Sequence, residues 1–128
     1  MKVTGKVYKD AVEKINKIAQ DNLVKTADAI RTDLVQSQTM PFDTGQLQNR
    51  STFIDTNKKT LNKVSIVSDT PYARRLYFHP EYNFRQDKNP NAGGMWFSPY
   101  LTGNKKDFAK NAFKLFMKRS LKWLLMII

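Results

Sequence analysis

Apolar residues recur at Val12, Ile15, Ala19, Leu23, Ala27, Ile30 and Leu34, in steps of three or four. That spacing lays one apolar stripe along an amphipathic helix over 9–37, with Lys14, Lys17, Asp21, Lys25, Asp28 and Arg31 on its other faces. No Gly or Pro interrupts it. At 1.5 Å per residue the helix is about 40 Å long, so it either packs along the sheet or projects one end into a neighbouring subunit.

The pattern then changes period. Pro41 disfavours helical dihedrals at Met40 and stops the helix. Asp43 can bond backbone two residues on, Gly45 supplies a left-handed position, and Leu47 is the next apolar anchor. Two strand-like runs follow. In 51–56, Phe53 and Asp55 fall on one face and Thr52, Ile54 and Thr56 on the other. In 61–68, Val64, Ile66 and Val67 supply β-branched content, with the polar stretch 57–60 as the hairpin connection. The stretch 72–79 leaves two readings open: Tyr72, Ala73, Leu76 and Tyr77 are spaced for one or two helical turns, while Tyr77 and Phe78 before Pro80 suit extended structure.

Residues 80–94 carry two Pro, an Asn-Pro-Asn and the Gly93-Gly94 pair, which break regular structure repeatedly. A loop this long in a compact domain is usually functional or disordered. Its Tyr82, Phe84 and Arg85 are residue types enriched at interfaces, so 80–94 is expected to face a partner. Met95-Trp96-Phe97 reads as a last short strand over 95–98. A final helix over 104–126 opens at Asn104 as N-cap with Asp107 three residues on. Phe108, Ala112, Leu115 or Phe116, and Leu121 or Leu124 form its apolar side. The fold class is therefore α+β in one domain, 1–128: a long N-terminal helix, a small mainly antiparallel sheet of three to five strands, and a basic amphipathic C-terminal helix packed on the sheet.

Charge sharpens that last element. The chain of 128 residues holds 22 basic and 11 acidic groups, a formal net charge of +11. Residues 105–128 alone carry seven basic groups and one acidic group. Lys106, Lys110, Lys114, Lys118 and Lys122 recur every four residues, a stripe that winds slowly round the helix and repels itself. A field of this sign favours polyanions, whether nucleic acid, anionic lipid or an acidic protein face.

The chemistry that the composition excludes is broad. Absence of Cys rules out disulfides and thiolate metal sites. His79 is the single His, so there is no His cluster or triad with spare ligands. No GxGxxG or P-loop run occurs, and acidic residues are too scattered for a two-metal site. Asp43-Thr44-Gly45 matches an aspartic protease tripeptide, but the second carboxylate of such a site has no source here. No cofactor, metal or small-molecule substrate is expected, and no enzymatic activity. The apolar run 123–128 is too short to cross a bilayer, so stable membrane insertion is not expected; nor does 1–6 read as a secretory signal.

Three clusters stand in a recognisable order. Pro41-Phe42-Asp43-Thr44-Gly45-Gln46-Leu47 with Ser51 comes first. Asp69-Thr70-Pro71-Tyr72-Ala73-Arg74-Arg75-Leu76-Tyr77-Phe78-His79 follows, then Gly93-Gly94-Met95-Trp96-Phe97-Ser98-Pro99-Tyr100-Leu101. In this order the chain resembles the tail-completion or minor capsid proteins of long-tailed bacteriophages, which join head to tail. Phe78-His79 stands where many members carry Phe-Gly.

The resemblance implies a structural virion protein of the neck, made in the bacterial cytoplasm and placed at the head–tail junction. It would form a homo-oligomeric ring, a hexamer or dodecamer, around the DNA channel, between connector or adaptor proteins and the tail terminator. Pro41, Asp43, Thr44, Gly45 and Leu47 would shape the structural turn. Tyr72, Phe78 and Trp96 would fill the core or the interface, and with them Tyr82, Phe84 and Arg85 of the long loop are candidates for the subunit or partner interface. Lys106, Lys110, Lys114, Lys118 and Lys122 would face DNA or an acidic neighbour.

Two other readings fit the residues. A small basic metal-independent ribonuclease toxin could use Arg74, Arg75, Tyr77 and His79. A nucleic-acid or membrane-surface binding module could act through the C-terminal helix, with Phe108, Phe113, Phe116 and Trp123 beside its cations.

Overall fold

A computed structural model describes residues 5–41, 52–87 and 89–127, and the side-chain surroundings of 9–41, 52–87 and 89–122. Helix α1 runs Gly5–Gln36, strand β1 Thr52–Asp55, strand β2 Ser65–Ser68, helix α2 Ala73–Tyr77, helix α3 Ser98–Leu101 and helix α4 Phe108–Ile127. The α+β class follows directly: two long helices, two short ones and an antiparallel hairpin. The hairpin register pairs Thr52 with Ser68, Phe53 with Val67, Ile54 with Ile66 and Asp55 with Ser65. A 3-10 turn at Lys59–Leu61 sits in its connection, where Asn62 takes a left-handed conformation.

The organising element is α1, and its two sides do different work. Gln20 donates from its side chain to the Thr60 carbonyl and to Asn62, Lys59 pairs with Asp21, and Arg31 Nε donates to the Thr52 carbonyl at 2.8 Å. These tie the hairpin to one flank. Asn22 Nδ2 donates to Ser120 Oγ at 3.1 Å and Lys105 Nζ donates to Asp33 Oδ2 at 2.7 Å, tying the C-terminal segment to another. Gln20 and Arg31 are eleven residues apart, as are Asn22 and Asp33. At 100° per residue each pair shares a face, and the two faces lie about 200° apart. Rising numbers on α1 meet falling numbers at the C-terminal end, so α4 runs antiparallel to α1.

Several sequence expectations are corrected by this arrangement. The C-terminal helix packs on α1 and not on the sheet. Among the described residues the sheet has two strands rather than three to five. Four residues per strand span about 13 Å, against about 30 Å for α4, so the hairpin is too small to seat that helix. The strand expected at 95–98 is a turn entering α3. Met95 sits at φ 52°, outside strand geometry, and Ser98 N–H closes onto the Met95 carbonyl at 3.0 Å. Among the described residues no strand follows α2. Helix α4 begins four residues later than Asn104 suggests, because Lys105 N–H turns back to the Pro99 carbonyl while its ammonium reaches Asp33. Asp107 then takes the first helical bond, from Asn111 N–H at 2.9 Å.

Burial along the α1 stripe is graded. Leu34 and Ala27 are buried, Leu23 and Ile30 half-buried, and Ile15 and Val12 exposed at 42 % and 47 %. All side chains from 9 to 17 are exposed, so this end of the helix projects beyond its neighbours. The core lies at the other end. Leu34, Met40, Ala73 and Trp96 are buried together, with Leu76, Tyr77, Phe97 and Tyr100 packed around them. Tyr77 meets the Trp96 ring edge-on at 4.9 Å. Core apolar surface is therefore supplied mainly by the end of α1, by α2 and by the segment 92–100.

Candidate functional site

The turn residues Asp43, Thr44, Gly45 and Leu47 lie outside the described residues. Pro41 is half-buried, and Met40 before it is fully enclosed in the core. What holds this exit from α1 is the second half of the long loop. Asn91 Nδ2 donates to the Ser37 carbonyl at 3.0 Å, Gly93 N–H to the Thr39 carbonyl at 3.0 Å, and Asn89 Nδ2 to the Met40 carbonyl at 2.8 Å. A helix C-terminus leaves carbonyls without intrahelical partners, and the chain just beyond this one finds its donors in the loop. Asn89 and Ala92 are buried. Gly94 approaches so closely that a Cβ there would lie 2.9 Å from the carbonyl oxygens of both Leu76 and Tyr77.

The loop expected to face a partner throughout 80–94 is thus divided. Residues 89–94 belong to the fold, and only the described part of 80–87 is free to face outward. Within that part Tyr82 and Phe84 are half-buried, and Arg85 is exposed and paired with Asp87 at 2.7 Å.

Of the other interface candidates, Tyr72 and Phe78 are exposed, Phe78 at 61 %. Trp96 is not at the surface: it is 2 % exposed and packs in the core, and its indole Nε1 has no hydrogen-bond partner. Sequence reasoning could not tell a core Trp from an interface Trp, since both sit in aromatic, Pro-containing segments.

Around α2 two concavities meet. One is a cleft of about 220 Å³ walled by Tyr77, Trp96 and Phe97 with Ala73 and Ser68. The other is a wider, shallow depression of about 520 Å³ lined by Pro71, Arg75 and His79. Arg74 and Phe78 line both. Arg75 Nε donates to Tyr82 Oη at 3.2 Å, and its guanidinium lies 5.8 Å from that ring centre. His79 stacks on Tyr82 at 4.6 Å and shares a hydrogen bond of 2.7 Å with Glu81, which holds the Glu81 carboxyl below its ordinary value. Of the residues a metal-independent ribonuclease would use, Arg74, Arg75 and His79 share the depression. Tyr77 faces the cleft instead, and burial raises its phenol above the ordinary value despite a bond from the Phe97 backbone. A phenol held protonated in this way is not a base at neutral pH.

The lysine face of α4 is arranged as the spacing suggests. Lys106, Lys110, Lys114, Lys118 and Lys122 are all exposed, as is Arg119. No ion pair among the described residues involves any of them, and 108–127 contains no acidic residue. The opposite face is half-buried through Phe108, Ala112, Phe116, Met117, Ser120 and Leu121, with Phe116 rather than Leu115 turned inward. Beyond Lys105, which is spent on Asp33, the cations of this helix face solvent.

Two residues that the sequence pattern did not single out hold α1 to the C-terminal segment. Asn22 is 1 % exposed, with its amide on Ser120 and on Met117 Sδ. Its signal was an indifferent helix former in mid-helix. Asp33 accepts from Tyr100 Oη at 2.6 Å as well as from Lys105. Burial acts to raise its carboxyl, but the bonds from Lys105 and Tyr100 outweigh it and leave the group below its ordinary value. The Tyr100 phenol is driven strongly upward, by burial first and by the carboxylate second.

No group of three or more metal-ligating His, Cys, Asp or Glu occurs among the described residues, nor a described helix long and apolar enough to cross a membrane. No protein-family model, curated protein or solved structure matches the chain.

Proposed function

We propose that this chain is a structural, non-enzymatic subunit of a bacteriophage neck, part of a ring that completes the head–tail connection around the DNA channel. The order of the Asp-Thr-Gly, Pro-Tyr-Ala and Trp-Phe-Ser-Pro clusters supports the family. The observation that carries the role is the face of α4: a row of exposed lysines, without a paired carboxylate among the described residues, on a helix locked to α1. Mutual repulsion makes such a row unfavourable in isolation. Polyanionic phosphate or an acidic neighbouring ring offsets it. In a ring each copy presents the same row, and weak individual contacts are multiplied by closure. The exposed end of α1, 9–17, and the outward part of the loop at Tyr82, Phe84 and Arg85 supply contacts to adjacent copies or to connector, adaptor and tail-terminator proteins.

The test is assembly. Mass photometry and electron microscopy of the purified chain should show hexameric or dodecameric rings with a central opening. Particles built without it should give DNA-filled heads and separate tails. Fully infectious particles lacking the chain, or turnover of RNA by the purified protein, would end this reading.

A further inference from the structure

Helix α2 is only five residues long, yet it presents Arg74 and Phe78 one turn apart on an exposed ridge between the two concavities. We propose that this ridge docks a segment of a different, acidic polypeptide: one large apolar side chain enters the 220 Å³ cleft, and flanking carboxylates engage Arg74 and Arg75. The proposal does not depend on the particle in which the chain works.

The cleft has room for one large side chain between aromatic walls, and its polar groups are nearly all committed. Ser68 Oγ is bonded to Thr52 Oγ1 at 2.8 Å, and the Tyr77 phenol takes a backbone bond from Phe97. Trp96 Nε1, without a partner among the described residues, is enclosed and not presented to the cleft. A large apolar side chain matches that inventory. A nucleobase would bring both donor and acceptor edge groups into aromatic walls whose free polar group is the Arg74 guanidinium, a donor only.

On the other side of the ridge the cations are arginines, whose planar forks suit carboxylates in two-pronged contact. Arg75 is already oriented by Tyr82, which lowers the ordering cost of binding. Arg74 is exposed and has no ion-pair or hydrogen-bond partner among the described residues. The nearby carboxylate, Glu81, is turned onto His79. A second copy of this chain, at +11, brings the wrong overall charge.

The test uses the full chain, ¹⁵N-labelled, with three capped pentapeptides and an oligothymidylate as probes. The indole N–H signal of Trp96, assigned with a Trp123→Phe variant, is the reporter. The peptide Glu-Glu-Phe-Glu-Glu should shift that signal on titration. Glu-Glu-Ala-Glu-Glu and Lys-Lys-Phe-Lys-Lys should bind at least about tenfold more weakly. Arg74→Glu and Phe78→Ala should each weaken the first peptide about tenfold, the size expected of an interface anchor, without changing the thermal midpoint, since both side chains are exposed. An unmoved indole signal at saturating peptide, equal binding of the Ala or Lys peptide, indifference to both variants, or tighter binding of oligothymidylate would each overturn the proposal.

Discussion

Replacing Asp33 tests how this fold is held together. Its Oδ2 receives both Tyr100 Oη and Lys105 Nζ, so one carboxylate ties α1 to α3 and to the approach of α4. The lysine pair is about one third exposed and contributes at most about 1 kcal/mol. The tyrosine bond to a charged acceptor is better shielded and contributes about 1.5–3 kcal/mol. Asp33→Ala should therefore cost about 2–4 kcal/mol, and Asp33→Asn, which keeps an acceptor for Tyr100, about half of that. With a urea slope of about 2 kcal/mol per molar, the alanine midpoint should fall by about 1–2 M. The pH dependence has a fixed sign. The folded carboxyl titrates below its ordinary value of 3.8, so its stabilisation is fully present above that value. It is lost as pH falls through the lower, folded value. Urea melts near pH 7 should separate parent from Asp33→Asn, and the gap should shrink towards about pH 3. An alanine midpoint indistinguishable from the parent's, or a gap that does not change with acid, would refute this account of the network.

Other substitutions probe separate parts of the structure. Gly94→Ala should destabilise by about 1–3 kcal/mol in denaturant melts, because the new Cβ meets two carbonyl oxygens that cannot retreat without moving α2. Asn89→Ala should cost about 1–3 kcal/mol by leaving the Met40 carbonyl without that donor in a buried setting, whereas Asn83→Ala, exposed, should fall within about 0.5 kcal/mol of the parent. Gln38→Gly should raise stability by about 0.5–1 kcal/mol in thermal melts, since Gln38 sits at φ 58° just beyond α1. Binding of duplex DNA, followed by fluorescence anisotropy against salt, should show a log–log slope of about −4 to −5 if Lys106 and the four α4 lysines meet phosphates. Each Lys→Glu change at 110, 114, 118 or 122 should flatten that slope by about one.

Parts of this design were legible in the residues. The seven-member apolar stripe predicted α1 to within a few residues, and the four-residue lysine period predicted an exposed cationic face on the last helix. β-branched residues on either side of a polar stretch predicted the hairpin. The failures have physical causes. Met95-Trp96-Phe97 has strand-like composition, but a bond from Met95 N–H to the Tyr77 carbonyl, at 2.9 Å, fixes a left-handed turn there. Asn104 is a sound N-cap by type, but the pull of Asp33 on Lys105 delays the helix. In the long loop, Asn89-Pro90-Asn91 reads as a break in regular structure and no more. Only the folded chain shows Asn89 and Asn91 as donors to carbonyls just beyond α1.

The sequence by itself determined the two long helices, where the charge lies and which residue types are missing, because period and composition are local properties. Tertiary structure decided what stands against what. It placed α1 between the hairpin and α4, since two exposed-looking polar faces about 200° apart each found distant partners. It sent Trp96 inward and left Phe78 outside, a choice no single-residue preference makes, because both are large aromatics in similar surroundings. Burial depends on contacts between segments tens of residues apart, and a local pattern carries no record of those distances.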